Sequence, residues 1–125
     1  MFLQDVAPPE PCVSLVIHGR LLEQNSEPIP EVDPDEIVIR WPWRLTLRVD
    51  DVVLGQFDGD RLKAVGFQHT EIREDYGRTF LFGRMDQGYA LLTISPRALS
   101  RRQDLAVVAA EAGTQLCDVT NQPAG

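Results

Sequence analysis

The stretch WRLTLRVDDVVLGQFDGDRLKAVG, residues 43–66, decides the fold. It begins inside a longer run, residues 37–49, in which apolar and polar side chains alternate. This alternation places the apolar residues on one face and is typical of a half-buried β-strand. Pro42 falls on the outer face and predicts an edge position or a β-bulge, with a bend in the strand. The apolar face consists of Ile37, Ile39, Trp41, Trp43, Leu45, Leu47 and Val49.

The middle of the same stretch predicts a corner between two strands. Two acids at 50–51 interrupt the alternation, residues 52–54 form a short apolar plug, and Gly55 follows. Residues 57–60, FDGD, have the composition of a turn. Another strand is predicted from 61 to about 70. We interpret the whole stretch as one corner of a small β-barrel.

The first strand is predicted to begin at Cys12. Apolar residues alternate with polar ones as far as Leu21, and Gly19 on the apolar face indicates a bend or a close backbone approach. Residues 24–36 hold three prolines and five acids. A loop of this length is either functional or disordered. The remaining predicted segments are strands at 79–84 and 89–95, a tight turn at 85–88 and a polar connection at 71–78.

The period changes after the last strand and predicts one amphipathic helix, at about 96–113. Ser95 before a proline is one candidate start, and Ser100 with Gln103 forms a possible capping box. Gly113 is the predicted stop, which leaves Leu116 just outside. The helical face consists of Leu105, Val108, Ala109, Ala112 and Leu116.

Five strands followed by one helix predict a mainly β fold and exclude a doubly wound α/β class. A five-stranded Greek-key barrel of the OB type, with one C-terminal helix, fits the strand count, and a β-sandwich is the alternative. The domain is predicted to span residues 12–117. Flexible segments are predicted at residues 1–11 and 118–125.

Composition limits the classes of partner. The chain has 125 residues, a net charge of −7 and 43% hydrophobic residues, which favours one acidic, packed domain. The acidic balance argues against nucleic acids and anionic membrane surfaces. Nothing in the sequence is apolar over 18 residues, so membrane insertion is not predicted. The first eleven residues do not resemble a signal peptide, and the compartment is either cytoplasmic or, after removal of a leader, periplasmic or secreted.

The two cysteines, Cys12 and Cys117, lie near opposite ends of the predicted domain. In an exported protein they could form a disulfide across a long loop. In the cytosol they would be two separate buried thiols. The residues alone leave both interpretations open.

Two segments resemble a known family. GRLLE at 19–23 and RLTLRVDDVVLGQFDGDRLKAV at 44–65 resemble netrin-like, tissue-inhibitor-like OB domains and their bacterial relatives, and Val49, Val52, Leu54 and Gly55 carry the match. The resemblance implies protein binding and a cysteine link from the first strand to a C-terminal helix. Eleven residues precede Cys12, so metal chelation through a free N-terminal cysteine is not implied.

His18, His69 and Glu71 are candidate metal ligands. His69 and Glu71 lie two residues apart and would share a strand face, and His18 could join them from an adjacent strand. Such a set could bind zinc or iron and support a small metal-dependent enzyme. The alternative is that both histidines are exposed polar residues. No nucleotide-binding or acyl-transfer motif occurs, so no cofactor is predicted.

Arg40, Arg44 and Arg48 are the candidate binding residues. They share one strand face, opposite Trp41 and Trp43, which favours tryptophans in the core. The arginines could pair with acids such as Glu71 or Asp75, or could form a docking surface for an unknown protein or a second copy. A single-stranded nucleic acid or an oligosaccharide is the alternative ligand for this barrel face. A non-enzymatic protein-binding or self-associating module is therefore the leading interpretation.

Overall fold

A computed structural model of the chain describes residues 12–26, 41–68, 72–73, 77–86 and 88–117. The predicted flexible ends and most of the predicted 24–36 loop lie outside these residues. None of the described helices is long and apolar enough to span a membrane. The elements are β1 (Cys12–Val13), β2 (Leu15–Ser26), β3 (Trp41–Leu54), β4 (Arg61–Gln68), β5 (Thr79–Met85), β6 (Gly88–Ser95), α1 (Arg102–Glu111) and β7 (Gln115–Leu116).

Five of these strands form one mixed sheet that closes in a ring, in the order β2-β3-β4-β6-β5. β5 returns to pair with β2, and β4 and β6 are parallel, whereas the other neighbours are antiparallel. The mainly β fold with five principal strands and a C-terminal helix is thus confirmed. The alternative of two facing sheets is wrong, because strands at both ends of the series pair with each other.

β3 is longer than predicted. The two acids at 50–51 were expected to end it, but it continues to Leu54. The register with β2 shifts three times, and two of these shifts leave Asp50 and Val53 without a direct partner on β2. Each shift is a bulge, and bulges bend a strand and increase its twist. The strand can therefore curve around the ring where simple alternation fails.

β2 also extends further than predicted. Residues 24–26, assigned to a loop by their composition, are strand residues, and Ser26 pairs with Trp43. Pro42 lies beyond this pair and has Phe67 of β4 as its described neighbour.

The predicted corner follows β3. Gly55 has a φ of +88°, and a Cβ at this position would collide with the carbonyl oxygen of Ser14. Glycine is required for both reasons, because it alone adopts this backbone region without strain and brings no side chain. β4 then runs antiparallel to β3 from Arg61, close to the predicted start.

The interior of the ring holds the main core. Alternation directs Leu45 and Leu47 of β3 and Leu62 of β4 inward, where they meet Phe80 and Phe82 of β5. Trp43 is also buried, as the sequence predicted. Its indole nitrogen donates to the carbonyl of Gln68 at 3.0 Å. A buried tryptophan N–H is thus satisfied by the neighbouring strand.

A second core lies outside the ring, beneath α1. Val16 of β2 and Leu81 of β5 face outward and pack with Leu105 and Ala109 of the helix, together with Val13. These contacts explain why β5 is buried over five consecutive residues rather than alternating. A strand covered on both faces loses the period-two signal.

The helix is shorter than the predicted 96–113. It begins at Arg102, and its N-cap is Arg101 rather than Ser95 or Ser100. The Ser95 hydroxyl accepts a hydrogen bond from the Arg97 backbone, but residues 96–101 are not helical. The helix ends near the predicted stop: its last residue is Glu111, its C-cap is Ala112, and Gly113 follows with a φ of +80°.

The chain ends of the described domain are joined twice. Cys12 and Cys117 form a disulfide with their Cα atoms 4.9 Å apart, 105 residues apart in sequence. β1 and β7 pair in parallel beside it, and the Cys117 N–H donates to the Val13 carbonyl. The link holds the segment after α1 against the start of the first long strand.

We expect simultaneous replacement of Cys12 and Cys117 by serine to lower the free energy of unfolding by about 3–5 kcal/mol, because the bridge closes a very long loop. Urea unfolding followed by tryptophan fluorescence measures this change. The wild-type protein treated with reductant is the matched control and should reproduce it. Identical unfolding midpoints for all three samples would contradict the expected role of the bridge.

Candidate functional site

Exposed basic side chains gather on the outer surface of β2, β3 and β4. Alternation directs the leucines of these strands into the core, so the intervening positions face solvent. We call this surface the basic face. An exposed acid, Glu23 of β2, lies beside these residues, and its register partner on β3 is Thr46. The basic face comprises Arg20, Arg44, Arg48, Arg61 and Lys63.

Three arginines of the basic face form a row across three strands. Arg20 of β2 is the register partner of Arg48 of β3, which is in turn the partner of Arg61 of β4. Directly opposed residues lie about 5 Å apart, and like charges at that spacing are destabilising. Arg48 is balanced by Asp50, with Nε 3.0 Å from Oδ1. Within the described residues, Arg20 and Arg61 make no ion pair.

The basic face also carries an aromatic side chain. Phe67 of β4 is 49% exposed and has Pro42 as its neighbour on β3. It lies six residues from Arg61, which is about 20 Å along an extended strand. The surface is therefore cationic at one end and apolar at the other.

A cleft of about 380 Å³ opens beside the arginine row. Arg20 and Arg48 belong to both the cleft and the basic face, whereas Arg78 belongs to the cleft alone. Because cationic and anionic side chains both line the cleft, it suits a polar ligand better than an apolar one. The cleft is lined by His18, Gly19, Arg20, Arg48, Asp50, Asp51, Gly77, Arg78 and Ala98.

Backbone hydrogen bonds fix the part of the cleft around Arg78. The Arg78 N–H donates to the Ser95 carbonyl at 2.9 Å, and its carbonyl accepts from the Gly19 N–H at 3.1 Å. Gly19 is packed so closely that a Cβ would collide with the carbonyl oxygen of Arg48. This is the close backbone approach that the glycine in the first strand predicted. Hydrogen bonds to neighbouring strands thus hold the backbone of two cleft residues, Gly19 and Arg78.

His18 connects the cleft to the segment before α1. Its Nε2 lies 2.7 Å from the Leu99 carbonyl, and its Nδ1 lies 3.8 Å from a carboxylate oxygen of Asp51. A carbonyl only accepts, so Nε2 carries the proton and donates. That nitrogen is therefore engaged and is not available to a metal ion while the bond is kept.

The side chain of Thr79 on β5 also binds the segment before α1. Its buried hydroxyl donates to the Arg97 carbonyl at 2.6 Å and accepts from the Leu99 N–H at 2.9 Å. Together with His18, it satisfies three backbone groups of residues 97–99. These bonds explain why the connection to α1 is ordered without being helical.

The predicted site residues are only partly brought together. Arg44 and Arg48 lie on the basic face, while Arg40 is outside the described residues, as are His69 and Glu71. The metal site predicted from these two with His18 therefore stays a prediction, and the described part of the chain holds no cluster of three potential metal ligands.

Sequence reasoning missed several residues of the site. Arg20, Arg61 and Lys63 occupy outward positions of alternating strands, and that pattern was readable. Their grouping was not readable, because it depends on which strands are neighbours and on the register between them. Arg78 precedes a strand and carries no sequence signal for its place in the cleft.

Comparison of the chain with protein-family models, with curated proteins and with solved structures found no match. The resemblance to netrin-like domains therefore stays a prediction.

We expect Thr79→Val to lower the free energy of unfolding by about 1–3 kcal/mol, because the isosteric side chain removes the hydrogen bonds of the buried Thr79 hydroxyl to the Arg97 carbonyl and the Leu99 N–H. Thr93→Val is the matched control, on half-buried β6 without such bonds, and should change stability by less. Denaturant unfolding measures both. Equal stability of the two variants would show that Thr79 does not anchor the segment.

Proposed function

We propose that this protein is a non-enzymatic binding module of the OB type, whose basic face binds an acidic segment of a partner protein. The observation that carries the proposal is the row of Arg20, Arg48 and Arg61. Opposed like charges across three strands oppose folding. A bound anion would relieve this repulsion, and arginine is enriched among the residues that dominate protein interfaces.

The strand order supports an OB-type barrel. Counted along the ring strands, the order is first, second, third, fifth, fourth, and the third and fifth are parallel. This order is consistent with the OB-type barrel that the strand count predicted. Ligands of OB barrels bind on the face of the second and third strands. Here those strands are β3 and β4, which carry most of the basic face.

The disulfide supports the resemblance to netrin-like domains. Cys12 precedes the first ring strand and Cys117 follows α1, which is the pairing that the resemblance implies. Structural disulfides persist in oxidising compartments, so we propose a periplasmic or secreted location. Netrin-like domains tend to bind proteins, and we extend this tendency to the present chain as part of the proposal.

The charge distribution favours a discrete acidic segment over a long polyanion. The whole chain carries −7, and five of its twelve basic residues lie on the basic face. A nucleic acid presents a continuous line of phosphates and depends on extended positive potential. A short acidic segment requires only local complementarity, which sets the specificity and the rate of association.

A single-stranded nucleic acid is the second candidate, and the exposed ring of Phe67 favours it. Base stacking on aromatic side chains beside a cationic surface is how such ligands bind to OB barrels. Self-association and a metal-dependent activity at His18 and His69 stay predictions. The elution volume tests the first, and the metal content of the purified protein, with and without His69→Ala, tests the second.

We expect the double variant Arg61→Gln with Lys63→Gln to bind a fluorescent polyglutamate peptide roughly fivefold to tenfold more weakly than wild type, since each exposed charge pair contributes modestly. Fluorescence anisotropy at 50 and 200 mM salt measures the affinity. Binding should weaken with salt because the contacts are exposed. Arg102→Gln, an exposed change at the start of α1, is the matched control and should bind like wild type.

The same titration with a labelled oligothymidine separates the two candidates. Tighter binding of the oligonucleotide, with loss on Phe67→Ala, would replace the protein partner by a nucleic acid. Equal affinity of the double variant and the Arg102 control for polyglutamate would overturn the basic face as the binding surface.

A further inference from the structure

We propose that the cleft beside the arginine row is a separate site for a small molecule that carries a single oxyanion group, either a carboxylate or a phosphate. The site goes beyond the proposed protein-binding function, because Arg78 is not part of the basic face. Arg20 of β2 and Arg78 before β5 supply the guanidinium groups that bind the oxyanion. The volume, about 380 Å³, lies within the range of small-molecule sites.

Guanidinium groups without an internal partner are the first reason. Within the described residues, neither Arg20 nor Arg78 forms an ion pair. Arg48 differs, because its Nε and Nη2 atoms donate to the two carboxylate oxygens of Asp50 at 3.0 and 3.5 Å. A guanidinium presents a planar set of donors that matches two oxygens of a carboxylate or phosphate. The cleft therefore offers the guanidinium groups of Arg20 and Arg78 for a ligand, whereas the guanidinium of Arg48 is already bonded to Asp50.

The second reason is that hydrogen bonds within the fold fix the backbone of part of the cleft wall. The backbone of Arg78 is hydrogen-bonded to Ser95 and to Gly19, on two different strands. The adjoining segment is held through His18 to Leu99. Fixed walls reduce the ordering that a ligand must impose, which favours binding of a small group with few contacts.

The acids of the cleft limit the charge of the ligand. Asp50 and Asp51 both line it, and two carboxylates repel a second anionic group. Asp51 is exposed, and a carboxylate is an acceptor for an N–H or O–H donor of a ligand. The preferred ligand therefore has one oxyanion group and a neutral portion with an N–H or O–H donor. A polyanion is disfavoured here even though the basic face beside the cleft attracts acids.

Two probes test the site by NMR titration of the full chain: inorganic phosphate and N-acetylglycine, whose carboxylate lies near an amide donor. We expect amide shifts at Gly19, Gly77 and Arg78 with at least one probe. Arg78→Gln should weaken binding roughly tenfold or more, since hydrogen bonds to charged groups are strong. Asp50→Asn should strengthen it severalfold, because it frees the Arg48 fork and removes a repelling charge.

Arg102→Gln is the matched control and should titrate like wild type, and circular dichroism confirms that each variant is folded. Binding of phosphate alone or of N-acetylglycine alone supports the site and assigns its ligand class. Absence of shifts with both probes, or equal affinity of wild type, Arg78→Gln and Asp50→Asn, overturns it. The double variant Arg61→Gln with Lys63→Gln should keep probe binding, so that failure of the basic face and failure of the cleft are distinguishable.

Discussion

Hydrogen bonding of β2 on both of its sides is the constraint on which the rest of the structure depends. Ile17 is the register partner of Val52 on β3 and of Phe80 on β5, and His18 likewise has a partner on each. This double pairing joins the two ends of the sheet and removes its open edges. It also explains the burial of three successive residues, 15–17, because the strand has the ring core on one face and the α1 core on the other.

Closure of the ring divides the outer surface into a covered and an uncovered part. α1 and the segment held by Thr79 cover β2, β5 and β6 on the side of the disulfide. In the part of the chain that the structure describes, the outward basic side chains of β3, β4 and the adjoining part of β2 are exposed and form the basic face. The cleft lies where the two parts meet, which is why it combines Arg48 from the open surface with Ala98 from the covering segment.

Where only one face of a strand is buried, local patterns predicted which side chains face the core and which face solvent. Trp43 was assigned inward and Arg44 outward, and both assignments are confirmed. The patterns failed where a long-range contact changed the local rule. Asp50 was taken as the end of a strand, but a bulge accommodates it. Ser95 was one of two candidate helix caps, but its hydroxyl accepts from the backbone of Arg97 in a non-helical segment, and the helix begins later.

The sequence by itself determined the mainly β class, the strand faces and the position where α1 ends, because alternation and glycine stops act over a few neighbouring residues. Tertiary structure alone decided that Arg20, Arg48 and Arg61 form one row and that Arg78 joins the cleft. These residues come from four separate segments. Their proximity depends on strand order and register, which are set by the burial of whole faces around the ring. Strand order and register cannot be read from a local sequence pattern.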